Sequence, residues 1–179
     1  MTTGRFIALA LTAALMTAGC AHTTAHHPEL VVGSRAGIES TLLADVYTGA
    51  LRSYGFPART EQAPDPLSKL DSGAFVVVPS LTGRVLQVFQ PGTAVRSDGQ
   101  VYKAMIGALP EGIAAGDYTT AAEDKPALAV AGSTSKEWGG SDLGVLDTAA
   151  LVDMRRQVTA GADPQAVADG WLSEHPLGR

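Results

Sequence analysis

The chain has 179 residues, a formal net charge of −5, only 17% charged residues and a slightly positive mean hydropathy. That length supports one domain with a real core and hardly two. Mild acidity with no basic block argues against nucleic acid or an anionic membrane surface as the main partner.

The first segment reads as an export signal. Arg5 supplies a positive n-region, and Phe6 to Ala18 form an apolar h-region too short to span a bilayer. Thr17, Ala18 and Gly19 then precede Cys20, the only cysteine of the chain. The stretch resembles the lipobox of bacterial lipoproteins, with Thr17 where leucine is commonest. The resemblance makes residues 1–19 a signal peptide and Cys20 the lipidation site. The mature chain is then expected to be lipid-anchored on the extracytoplasmic side of the cell membrane. An ordinary secretory signal is the alternative, but an exported lone cysteine would have no disulfide partner to explain it. Residues 20–29, with His22, His26 and His27, read as a solvated tether, since no Cys or acidic partner completes a first metal shell at a regular spacing.

From Leu30 to Phe56 the pattern is an apolar strand, a Gly33-Ser34 turn and a long amphipathic helix. Ile38, Leu42, Val46 and Ala50 form one ridge, and Leu43, Tyr47, Leu51 and Tyr54 a second beside it. Thr41, Asp45, Thr48 and Arg52 take the opposite face, Gly55 suits a left-handed C-terminal residue, and Pro57 ends the run. A buried strand passing through a glycine turn into a helix opens an α/β sheet, whose ligands sit outside the carboxyl ends of the strands.

Downstream, Ala58 to Gln62 is a weak strand. Asp65-Pro66 reads as a helix cap and first helical position, with Gly73 as the stop. Phe75 to Val78 has no alternation, as a strand covered on both faces requires. Pro79 to Gly83 reads as a second strand-to-helix turn, and Val85, Leu86 and Phe89 as a short helix broken at Gln90 to Thr93. A helix with Val101, Tyr102, Met105, Ile106 and Leu109 on one face closes at Pro110 and Gly112. Near the end, Asp147 caps one helix, with Leu146 stapled onto Leu151. Asp163-Pro164 starts the last helix, whose buried face is Val167, Ala168, Trp171 and Leu172.

In order and spacing these motifs resemble the glycine betaine and choline substrate-binding proteins of ABC importers, the OpuAC type. The family's GSKNFTEQ is similar to Gly33-Ser34-Arg35-Ala36-Gly37-Ile38-Glu39-Ser40, and its PEYTG to Pro79-Ser80-Leu81-Thr82-Gly83. Its LPEG and acidic crossing strand resemble Leu109 to Gly112 and Ala121 to Val130. The closing helices match as well, so the likeness runs from Leu30 to Pro176. Between crossing strand and closing helices the family has a second lobe, on the order of 100 residues. Here residues 132–145 are a short remnant in its place. The resemblance implies one α/β domain over residues 30–179, a single periplasmic-binding-protein-like lobe of type II. Its mainly parallel sheet would have about four or five strands, with helices on both faces.

The function implied is capture of a quaternary ammonium osmoprotectant for an ABC permease, with no nucleic acid and no cofactor. Aromatic faces hold such a cation, and a cationic or hydroxyl group holds any carboxylate. Candidate ligand-binding residues are Ser34, Arg35, Glu39, Thr82, Gly83 and Tyr118, with Trp138 also near the edge. Arg35 could hold a carboxylate in two parallel hydrogen bonds. The family's glutamate and tyrosine in the PEYTG turn are Ser80 and Leu81 here. The alternative is a single-lobe, non-transporting interaction protein of the envelope. No nucleophile elbow, metal-spaced His pair or Walker loop is present, so no enzyme is expected.

Overall fold

The computed structural model describes residues 28–95, 97–116, 126–131 and 148–176. The signal segment, Cys20, the histidines, Asp147, Tyr118, Trp138 and residues 132–145 lie outside the described residues. Five strands form one sheet: β1 (Leu30–Ser34), β2 (Ala58–Gln62), β3 (Val77–Leu81), β4 (Ile113–Ala115) and β5 (Pro126–Ala131). Their spatial order is β2-β1-β3-β5-β4. β1 runs parallel to β2 and β3, whereas β5 is antiparallel to both β3 and β4. The helices are α1 (Ile38–Ser53), α2 (Ser68–Asp71), α3 (Thr82–Phe89), α4 (Asp98–Ala108), α5 (Thr148–Thr159) and α6 (Pro164–Glu174). None of the described helices is long and apolar enough to cross a membrane.

Alternation along the central strands divides the core. Val32 and Val77 face α1 and pack with Ala44, Tyr47, Leu51 and Ala58. Val31 and Val78 face the other way, onto Phe75, Leu86 and Met105 beneath α2, α3 and α4. Both faces are therefore covered, which is why the valine run carries no polar alternation.

Beyond α1 lies a further layer. Met154 of α5 and Val167 and Ala168 of α6 pack on Leu42, Leu43 and Val46. All residues of α1 from Leu42 to Leu51 are buried, including Asp45 and Thr48 of the face opposite the apolar ridges. The reason is the sandwich: sheet on one side, closing helices on the other. The buried polar groups are paired in a chain: Thr48 Oγ1 lies 2.9 Å from Thr60 Oγ1, and the Thr60 hydroxyl donates to Asp45 Oδ1 at 2.6 Å.

Several boundaries differ from the sequence reading. Gly33 and Ser34 belong to β1, paired with Glu61 and Gln62, so the turn is Arg35 to Gly37, where Gly37 takes φ 124°. Gly33 is small because the Phe75 ring lies over it: an added Cβ would overlap Phe75 Cδ2 and sit 2.6 Å from its Cε2. Phe75 itself precedes β3, which continues to Leu81 and passes into α3 at Thr82 without a separate turn. The expected Asp65 cap is absent; α2 has only four residues, and the Ser68 hydroxyl donates to the Asp65 carbonyl. Tyr54 and Ile106, assigned to buried faces, are 44% and 42% exposed. Strand β4 was not anticipated, since three small apolar residues give no periodic signal. Gly55 does take a left-handed conformation after α1, and the Asp163 carboxylate caps α6 by accepting from Ala166 N at 2.9 Å.

Two outcomes follow from this packing. Gly33→Ala should lower unfolding free energy by about 1–3 kcal/mol through overpacking, read by urea titration, with partial recovery when combined with Phe75→Leu. Asp45 titrates above its usual 3.8, chiefly through burial and also through the Asp163 and Asp169 carboxylates, against the Thr60 hydrogen bond and Arg52. The folded chain then binds more protons than the unfolded chain above pH 3.8, so stability declines as pH rises through the raised value. Asp45→Asn should therefore stabilise the protein at neutral pH, with the gain vanishing below about pH 4. Thermal melts of both forms from pH 3 to 8 check this.

Candidate functional site

After β1 the chain turns to β2 on one side, then returns to β3 on the other side of β1. The strand order thus reverses between β1 and β3, and a crevice opens outside their carboxyl ends at such a point. The structure has a cleft there of about 370 Å³. Its walls are Arg35 to Ser40 with Leu43, then Asp65 to Leu67, Val78 to Leu81 with Arg84, and Arg155. That volume lies in the range of small-molecule sites, roughly 300–1,000 Å³.

Local hydrogen bonds hold the β1–α1 wall. Arg35 N donates to Ser40 Oγ at 2.9 Å, Thr41 N to Gly37 O at 3.0 Å, and Gln62 Nε2 to Thr41 Oγ1 at 3.0 Å. These bonds fold the turn back on the first turn of α1 and fix it to the end of β2. No side chain caps the N-terminus of α1 or of α3. Both helices therefore begin at this edge with first-turn N–H groups that side chains do not satisfy.

The candidates from sequence divide sharply. Arg35 and Glu39 line the cleft. Ser34 and Thr82 are only 0% and 4% exposed and form its foundation instead of its surface. The reason is that Ser34 ends a strand inside the sheet and Thr82 begins a helix packed against it. Ser34 Oγ is buried with no hydrogen-bond partner among the described residues. Gly83 is exposed on α3 and is not among the lining residues. Tyr118 lies outside the described residues.

Sequence reading missed Arg84, Arg155 and Asp65 as site residues. Arg84 could have been found from its place one turn into α3 on the same edge. Arg155 had no such signal, because α5 is far away in sequence and reaches the cleft only by docking on α1. The described lining contains Arg35, Arg84 and Arg155, the carboxylates Glu39 and Asp65, and no aromatic side chain. Among the described residues no cluster of His, Cys, Asp or Glu could hold a metal ion.

No protein-family model and no curated protein matches the chain. Among solved structures it is similar to the apo form of YehZ from Escherichia coli, with a TM-score of 0.69 at 12% identity. The match covers 83% of this chain and 99% of that one. At such identity the likeness establishes the fold alone: an α/β lobe of the periplasmic-binding-protein kind.

Proposed function

We propose that the protein is an extracytoplasmic substrate-binding lipoprotein. It captures a small quaternary ammonium solute of the glycine betaine or choline type and passes it to an ABC permease. One observation carries this reading: a ligand-sized cleft stands at the switch point of a substrate-binding-protein fold. The ordered motif likeness from Leu30 to Pro176 supports the solute class, and the lipobox-like segment ending at Cys20 supports the anchor. In this reading the Arg35–Ser40 turn and the Ser80–Arg84 junction receive the solute, while Ser34 and Thr82 hold the strands and helix that present them.

A second reading, an envelope interaction protein that has lost ligand binding, is favoured by the absence of aromatic side chains from the described lining. A quaternary ammonium is ordinarily held by aromatic faces. Calorimetric titration of the purified chain with glycine betaine, choline and carnitine separates the two. The first reading expects saturable heat from at least one solute at millimolar concentration. Silence across the panel, together with a dimer on sizing chromatography, would establish the second.

A further inference from the structure

The described arginines fall into two sets. Arg52 Nε donates to the Ala58 carbonyl at 2.8 Å, Arg59 pairs with Glu61 at 2.7 Å, and Arg156 pairs with Asp153 at 2.7 Å. Each of these guanidiniums has a partner within the fold, Arg52 across from α1 to β2 and Arg59 and Arg156 within their own strand and helix, and none lines the cleft. Arg35, Arg84 and Arg155 make no ion pair or side-chain hydrogen bond with any described residue, and all three line it. They come from three separate elements: the β1–α1 turn, the first turn of α3, and α5. Bringing three like charges to one concavity opposes folding, and the two carboxylates of the same lining, Glu39 and Asp65, form no ion pair with them and leave an excess of positive charge. A ligand carboxylate would offset that excess.

We infer that the cleft holds a carboxylate of its ligand with Arg35, Arg84 and Arg155, so that the solute is a zwitterion and not a bare cation. This rests on the substrate-binding reading above and narrows it to solutes of the glycine betaine kind. Guanidinium groups suit the task because their planar forks match carboxylate oxygens in paired hydrogen bonds. The uncapped starts of α1 and α3 add partial positive charge at the same edge. Glu39 and Asp65 stand on the same walls and supply negative charge for the ammonium end. Arg155 is the specific new assignment. Its neighbour Met154 is 2% exposed and packs with Leu42, Leu43 and Val46, which pins α5 beside the cleft wall formed by Leu43. The closing helices thereby contribute to recognition as well as to packing.

The test is calorimetry on the full chain with glycine betaine, choline and 3,3-dimethylbutanoate, the uncharged-end carbon isostere of betaine. Betaine should bind best, exceeding choline by about tenfold or more, since a hydrogen-bonded charge is lost with the carboxylate. Arg155→Gln should weaken betaine and 3,3-dimethylbutanoate by about tenfold and leave choline unchanged. Arg155→Lys, which keeps the charge without the fork, should fall between. Arg156→Gln, outside the cleft, should alter none of them, and thermal melts of each variant report the fold. Choline binding as tightly as betaine, or betaine affinity indifferent to both Arg155 variants, overturns the inference and leaves the substrate-binding reading standing. Failure of every solute to bind the unaltered chain overturns both.

Discussion

The architecture depends on α1 being enclosed. A helix on the outer face of a sheet normally keeps one polar side in water, but here ten consecutive residues from Leu42 to Leu51 are buried. Val32 and Val77 of the sheet pack under one side, and Met154, Val167 and Ala168 of the closing helices cover the other. Burying several leucines and valines this way contributes roughly 1.5–3 kcal/mol each, which outweighs the cost of bringing in Asp45. The Thr48–Thr60–Asp45 chain limits that cost by pairing the polar atoms. Gly49 completes the fit, because a Cβ there would stand 2.5 Å from Leu172 of α6.

That enclosure also positions the cleft. The N-terminus of α1 projects at the carboxyl edge of β1, and the sheet reverses its strand order beside it. With α1 held on both sides, the turn at Arg35 to Gly37 has a fixed base, reinforced by the bonds of Ser40, Thr41 and Gln62. The same docking of α5 and α6 that buries α1 carries Arg155 to the rim. Stability and site are thus built by the same contacts.

Much of this was legible in the sequence, and the failures have identifiable causes. The strand–helix rhythm, the α1 ridges between Leu42 and Leu51, the covered valine run and the Asp163 cap are local signals, and the structure agrees with them. Asp45 and Thr48 misled because helical periodicity distinguishes two faces but cannot show that a distant helix covers the second. Gly33 and Ser34 misled because glycine beside serine usually marks a turn, whereas here the glycine makes room for Phe75 inside a strand. The cleft was placed at the right edge, since the carboxyl-end rule needs only the order of elements. Its charge was not, because Arg84 and Arg155 converge on Arg35 only in three dimensions.

The claim that this edge receives a small solute is tested most directly by backbone amide chemical shifts during titration with glycine betaine. Saturable shifts concentrated at Arg35–Ser40, Ser80–Arg84 and around Arg155 are the predicted result. No shift at saturating solute, or shifts confined to the groove between α5 and α6 around Gln157 and Trp171, would contradict it.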